Sequence, residues 1–147
     1  MQVFDPSTNP INGNEWAFPL LEIVHIASFA LSIGTIAIVD LRLLGWGMRH
    51  RTSGQLVADT EIWTMLGILL AVTSGSFLVS TDPSSYVRNP AFRLKMACLA
   101  AAVLYNYTVH LKIASSEHSA FAGKLAGALS MALWASVVCG GIFYACI

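Results

Sequence analysis

The sequence predicts an all-α integral membrane protein, a bundle of four transmembrane helices that forms a single domain over residues 1–147. Hydrophobic residues make up 56% of the chain and charged residues only 11%, and the mean hydropathy is +0.66. These values lie far from those of ordinary soluble domains. Apolar stretches recur four times, each close to the roughly 20 residues that a helix needs to cross a bilayer. The first partner that the composition indicates is therefore the lipid bilayer.

The four predicted helices cover residues of about 16–47, 55–80, 90–115 and 120–147. Ser53 is in position to cap the second helix. Asn89 and Pro90 form a good start for the third, because an Asn side chain caps well and Pro suits the first helical position. Between these two helices, the stretch TDPSSYVRNP has the composition of a loop.

Charge indicates the class of partner and the orientation. The formal net charge is zero, and the absence of a basic stripe argues against a nucleic-acid partner. The first residues lack the basic region and the cleavage site of a signal peptide, so we expect the first helix to be retained. Lys and Arg residues are more numerous on the side of the membrane that holds the 48–54 linker than on the opposite side. By the positive-inside rule, both termini are then expected outside.

The first helix carries a polar stripe at helical spacing, formed by Glu22, His25, Ser28, Ser32 and Thr35. Ionisable groups inside a spanning helix are costly and are candidates for function. His25 is a candidate metal ligand, namely an axial ligand of haem iron, because neutral imidazole is a standard ligand and small neighbours leave room for a macrocycle. The alternative is a histidine that is hydrogen-bonded to a neighbouring helix.

The third helix carries a second stripe that we expect to face inward, formed by Lys95, Leu99, Ala102, Asn106 and His110. Glu22 either orients the His25 imidazole or pairs with Lys95, and pairing is favoured because two lone charges in hydrocarbon would be costlier. His110 is a second candidate metal ligand that would bind haem or quinone. Its alternative is a solvated histidine near the membrane surface. At a rise of about 1.5 Å per residue, the two histidines lie at different depths, which argues against one haem clamped between them.

Other residues receive structural interpretations. Asp40 and Arg42 are predicted to form a local ion pair at the end of the first helix. The second helix presents a small-residue face suited to close packing, formed by Thr64, Gly67, Ala71 and Ser74. In the fourth helix, Gly123 and Gly127 form a small-xxx-small pair, and Met131 and Trp134 are the bulkiest interior candidates. The three cysteines lack paired spacing and are interpreted as small buried hydrophobic residues.

Two segments carry a family resemblance: WAFPLLEIVHIASFALSIGTIAIVDLRLLG and NPAFRLKMACLAAAVLYNYTVH. They resemble bacterial four-helix membrane proteins of uncharacterised function. These in turn look distantly similar to the copper-resistance D-type membrane domain and to the haem-containing protoporphyrinogen oxidase of bacteria. In the oxidase family, a matching helix-one histidine and helix-three lysine are thought important for haem binding and activity. The resemblance thus implies roles for His25 and Lys95 and a place in the bacterial inner membrane.

The leading hypothesis is a membrane redox protein that binds haem b and passes electrons between a quinone and a partner. Glu22, His25, Lys95 and His110 are the candidate cofactor-binding residues. The small-residue faces favour a homo-oligomer or a subunit of a membrane complex. A cofactor-free structural subunit and a copper-handling protein are the alternatives. Copper(I) favours sulfur ligands, and the methionines and cysteines of this chain do not cluster.

Overall fold

The computed structural model describes residues 9–48, 50–116 and 119–146. Its elements are α1 (Ala17–Leu44), α2 (Ser53–Thr81), α3 (Pro83–Arg88), α4 (Pro90–Tyr105), α5 (Leu111–Ser115) and α6 (Ala120–Cys146). A π-helical turn, Asn106–His110, joins α4 to α5. The segments Ala17–Leu44, Ser53–Thr81, Pro90–Ser115 and Ala120–Phe143 are each long and apolar enough to cross a membrane. The predicted all-helical fold with four helices of spanning length is confirmed.

Local capping explains where α2 and α4 begin. Thr52, and not the predicted Ser53, caps α2, because its side chain and that of Gln55 form a capping box. The Ser53 hydroxyl instead donates to the carbonyl of Ala114, 2.8 Å away. The Asn89 side chain caps α4 by accepting from the backbone of Ala91 at 2.8 Å, as predicted.

The segment predicted as a loop between α2 and α4 contains the short helix α3. The Asp82 side chain accepts a hydrogen bond from the backbone N–H of Ser85 at 3.1 Å, and Pro83 occupies the first turn. Both features favour a helix start. We call the end of the bundle where α1 begins and α3 lies the upper end, and the opposite end, at residues 45–48 and 50–52, the lower end.

The helix α1 is central to the bundle. It packs along α2 and against α6, while α4 packs mainly on α6, and α2 meets α5 near the lower end. Contact between α1 and α2 is close at Gly67, where an added Cβ would lie 2.8 Å from the Ser28 carbonyl oxygen. Contact between α1 and α6 is close at Gly127, where a Cβ would lie 3.0 Å from the Asp40 carbonyl oxygen. Small residues thus set both helix spacings, as in other membrane bundles.

The buried surfaces agree with most of the predicted faces. All four members of the predicted α2 face are buried, and so are Gly123 and Gly127. Trp134 is buried at 3% exposure, whereas Met131 is 38% exposed, so the interior position predicted for Met131 is wrong. Cys98 is half-buried and Cys139 is exposed, and both are free. The buried position predicted for Cys139 is therefore also wrong, since it lies on the outward face of α6.

Candidate functional site

The imidazole of His25 is held by the neighbouring helix α2. Its Nδ1 lies 2.8 Å from the carbonyl oxygen of Ala71 and 3.2 Å from the hydroxyl oxygen of Ser74. A carbonyl accepts only, so Nδ1 carries the proton in this bond and Nε2 bears the lone pair of the neutral ring. A Cβ added at Gly75 would lie 2.9 Å from Cε1 of the ring. The histidine is thus fixed in one orientation and one tautomer.

Aromatic and cationic side chains complete the surroundings of His25. The ring of Phe29 is stacked with the imidazole at 6.2 Å between centroids, with an interplanar angle of 19°. Trp134 meets the Phe29 ring edge-on, with 6.1 Å between the two ring centroids. Lys95 of α4 places Nζ 6.0 Å from the Phe29 ring centroid and packs against Gly140 and Gly141 of α6. Three helices therefore bring His25 and Lys95 to the same aromatic ring.

The expected ion pair between Glu22 and Lys95 is not formed. Among the described residues, Arg51 pairs with Asp59, and the Asp40 carboxylate meets the imidazole of His110. Glu22 is exposed on α1, only about 8 Å along the helix from Ala17 at 1.5 Å per residue. Its carboxylate therefore lies near the upper end of the helix, where an exposed charge can be solvated without a partner.

A second polar site lies near the lower end. Nε2 of His110 and Oδ1 of Asp40 are 2.6 Å apart, and both residues are 1% exposed. The Asp40 carboxylate accepts the hydrogen bond, so Nε2 carries the proton and Nδ1 is left with the lone pair of neutral imidazole. Within the described part of the chain, Nδ1 is buried with no hydrogen-bond partner.

The geometry of this site shows that two interpretations of the sequence, one for Asp40 and one for His110, are wrong. The predicted ion pair of Asp40 with Arg42 is wrong, because Asp40 turns inward to His110, and the Arg42 side chain donates to the backbone carbonyl of Arg51. The interpretation of His110 as a solvated histidine is also wrong, since the residue is 1% exposed. Burial of a carboxylate is tolerated where a hydrogen-bonded partner meets it.

His110 and its neighbours line a small cavity between α2 and the π-helical turn. The cavity measures about 10 Å³, and its polar lining residues are Thr60, Glu61, Thr64, Asn106, Tyr107 and His110. That volume matches one water molecule. A porphyrin does not fit there, so we do not include His110 among the residues that would hold a haem. His25 and Lys95 stay together as the candidate cofactor site, and Glu22 lies at its exposed margin.

Sequence reasoning selected His110 but missed Asp40 as its partner. A usable signal was present: Asp40 lies four residues before the end of α1, and His110 lies five residues before the end of α5. Both helices run from the upper to the lower end, so the two side chains share a depth. A buried carboxylate at that depth requires a partner.

Four spanning helices with two separate polar sites between them define a multi-pass helical membrane protein. Residues 16–146 match a family that is described as a family of unknown function (DUF6644), and the chain belongs to it. Comparisons with curated proteins and with solved structures gave no match. The predicted membership of a family without an assigned function is confirmed.

Proposed function

We propose that the protein binds haem b through His25 and acts as a membrane redox protein, passing electrons between a quinone and a partner. The observation that carries the proposal is the hydrogen bond from Nδ1 of His25 to the Ala71 carbonyl. Histidines that ligate metals almost always donate their other ring N–H to a carbonyl, carboxylate or water, which fixes the tautomer and orients the ring. The arrangement at His25 leaves Nε2 as the ligating nitrogen.

Two features around His25 support a haem rather than a bare metal ion. Among the described residues there is no group of three His, Cys, Asp or Glu side chains that could hold an ion, whereas haem iron needs as few as one protein ligand. The site is also largely apolar, with Phe29 beside the imidazole and the Lys95 ammonium nearby. Apolar surroundings with one cation suit a macrocycle that carries propionates. Haem supplies one-electron chemistry, and the chain supplies its ligand and orientation.

The distant resemblance of two sequence segments to the haem-containing oxidase family adds a second line of support. His25 in the first helix and Lys95 near the start of the third spanning helix match the positions thought important in the haem-containing protoporphyrinogen oxidase. We extend the proposal to location: a bacterial inner membrane, both termini outside, with the chain assembled as a homo-oligomer or as a subunit of a membrane complex.

Haem titration of the purified full-length chain in detergent tests the proposal. The wild-type protein is expected to bind haem and to show the spectral change of a ligated iron on reduction. His25→Gly should weaken haem binding by at least about tenfold, and added imidazole should restore the spectrum by replacing the missing ligand. The matched control is His50→Gly, since His50 lies in an exposed turn. No haem binding by the wild type, or an unchanged spectrum in His25→Gly, would favour the structural-subunit alternative.

A further inference from the structure

The buried pair of Asp40 and His110 has the geometry of a proton-accepting site. We propose that His110 takes up protons at Nδ1 from a water held in the adjacent cavity, with Asp40 as the residue that orients the ring. The two side chains are 1% exposed and joined at 2.6 Å. In this arrangement a carboxylate holds one ring nitrogen protonated and stabilises the imidazolium formed when the other accepts a proton. The proposal is independent of haem binding at His25.

The unpartnered nitrogen is what indicates a water. Nδ1 of His110 is buried without a hydrogen-bond partner in the described part of the chain, and such a group carries a desolvation cost. The cavity that His110 lines has a volume of about 10 Å³, enough for one water, and a water needs two to four polar partners to be held. The Thr60 and Thr64 hydroxyls and the Asn106 amide line the same space.

An exposed carboxylate lies at the edge of the cavity. Glu61 lines it and is exposed, and it lies eight residues after the start of α2 at Ser53, about 12 Å along the helix at 1.5 Å per residue. Asp40 is close to the same lower end of the bundle. Glu61 is thus placed at the mouth, where a carboxylate attracts protons from the lower aqueous phase.

The water gives one proton to Nδ1 of His110, and a proton from the lower aqueous phase, passed by way of Glu61, restores the water. Asp40 stays a carboxylate and accepts the Nε2–H hydrogen bond throughout. No electron moves, and the product is an imidazolium paired with a carboxylate inside the bundle. Such a site supplies protons to any membrane reaction that consumes them.

Other ionisable groups around His110 have different roles. Tyr105 lies 6.3 Å from the His110 ring between centroids and donates its hydroxyl to the carbonyl of Ala126. Tyr107 lines the cavity with Glu61. On α6 the charged residue is Lys124, which is exposed. On α5 the charged residue is Lys112, which is also exposed. Asp40 is therefore the ionisable group that contacts the ring directly.

The π-helical turn places His110 at this position. Asn106 and His110 are its first and last residues, and they are 2% and 1% exposed. A π turn inserts a residue relative to regular α-helix and re-aims the side chains that follow, and such turns are frequent at functional sites. Here the Asn106 and His110 side chains both face the protein interior beside α2.

Nuclear magnetic resonance of the full-length chain with ¹⁵N-labelled histidine tests the proposal directly. The ring signals of His110, assigned by their loss in His110→Asn, are expected to show protonated Nε2 and unprotonated Nδ1 at high pH. When the pH is lowered while the protein stays folded, they should change to those of imidazolium, with proton exchange to water. A ring that stays neutral under these conditions, or that carries its neutral-state proton on Nδ1, would overturn the proposal.

Filling the cavity tests the role of the water. Thr60→Leu should slow proton exchange at His110 by at least about tenfold, because the larger side chain displaces the water. Thr73→Leu is the matched control: each hydroxyl donates to the carbonyl four residues earlier, at 2.7 Å for Thr60 and 2.8 Å for Thr73, but Thr73 is exposed and is not a lining residue. Unchanged exchange in a folded Thr60→Leu variant contradicts the proposal. If Thr60→Leu does not fold, Asp40→Asn decides, since loss of the carboxylate should remove the imidazolium signal at low pH.

Discussion

Nε2 of His110 lies 2.6 Å from Oδ1 of Asp40, and this contact joins α1 to the π-helical turn across 70 residues of sequence. Because both side chains are buried, each provides the hydrogen bond that makes the other's burial tolerable. The pair is therefore structural as well as chemical, and its energetic coupling is measurable apart from any activity.

A double-mutant cycle should reveal strong coupling between the two residues. Asp40→Ala and His110→Ala are each expected to lower the free energy of unfolding by about 3 kcal/mol, because each leaves a buried polar group unpaired. The double variant should lose less than the sum, by about 1 kcal/mol or more. Unfolding of the detergent-solubilised protein by denaturant provides the measurement.

The control for this cycle is the ion pair of Arg51 with Asp59, which spans 2.8 Å but has side chains 55% and 56% exposed. Water screens this pair, so its coupling should stay below about 1 kcal/mol. Equal coupling in both pairs would show that the burial of Asp40 and His110 is not what links them.

Gly67 is expected to be intolerant of a side chain. A Cβ there would clash with the Ser32 hydroxyl oxygen and would lie 2.8 Å from the Ser28 carbonyl oxygen, so Gly67→Ala must push α1 and α2 apart. We expect a loss of about 1–3 kcal/mol in the free energy of unfolding. Gly34→Ala is the matched control, because nothing lies within 4 Å of its added Cβ. Gly34→Ala should raise the free energy of unfolding by up to about 1 kcal/mol, because Ala has the higher helix propensity. If both variants lose a similar amount of stability, the close contact at Gly67 is not the cause.

Gly75 should control the orientation of His25. Its added Cβ would lie 2.9 Å from Cε1 of an imidazole that Ala71 and Ser74 already hold, so Gly75→Ala should rotate the ring. If His25 ligates haem, the affinity should fall by about tenfold and the reduced spectrum should change. The absorption titration used for His25→Gly measures both. If the ¹⁵N ring signals of His25 change in Gly75→Ala but the haem absorption spectrum does not, the ring has moved and His25 does not ligate the iron.

Orientation in the membrane is testable by labelling a single cysteine. His50→Cys, in a chain whose cysteines at positions 98, 139 and 146 are changed to alanine, places a thiol in the turn after α1. With both termini outside, a membrane-impermeant reagent should reach this thiol only in inverted vesicles. Labelling in intact cells would reverse the proposed topology, and a cysteine at Asn14, before α1, should show the opposite pattern.

The sequence by itself determined the helices and most of their faces. Hydropathy located four helices of spanning length, and the helical period identified the small-residue face of α2 and the inward positions of Ala102, Asn106 and His110, all of which are buried. Capping chemistry located the start of α4 at Asn89. These features depend on a single helix or on its immediate flanks, and the amino-acid order contains that information.

Only the tertiary structure decided which side chains meet. Asp40 turned to His110 and not to Arg42, Glu22 remained exposed, and Lys95 lay beside Phe29. Helical periodicity fixes a residue's angle about its own axis, but not the rotation, tilt and depth of one helix relative to another. Those quantities follow from the close contacts at Gly67 and Gly127 and from the π turn before His110. The polar partners in a membrane bundle are set by that packing, because a buried polar group can bond only to a side chain or backbone atom that the packing brings within reach.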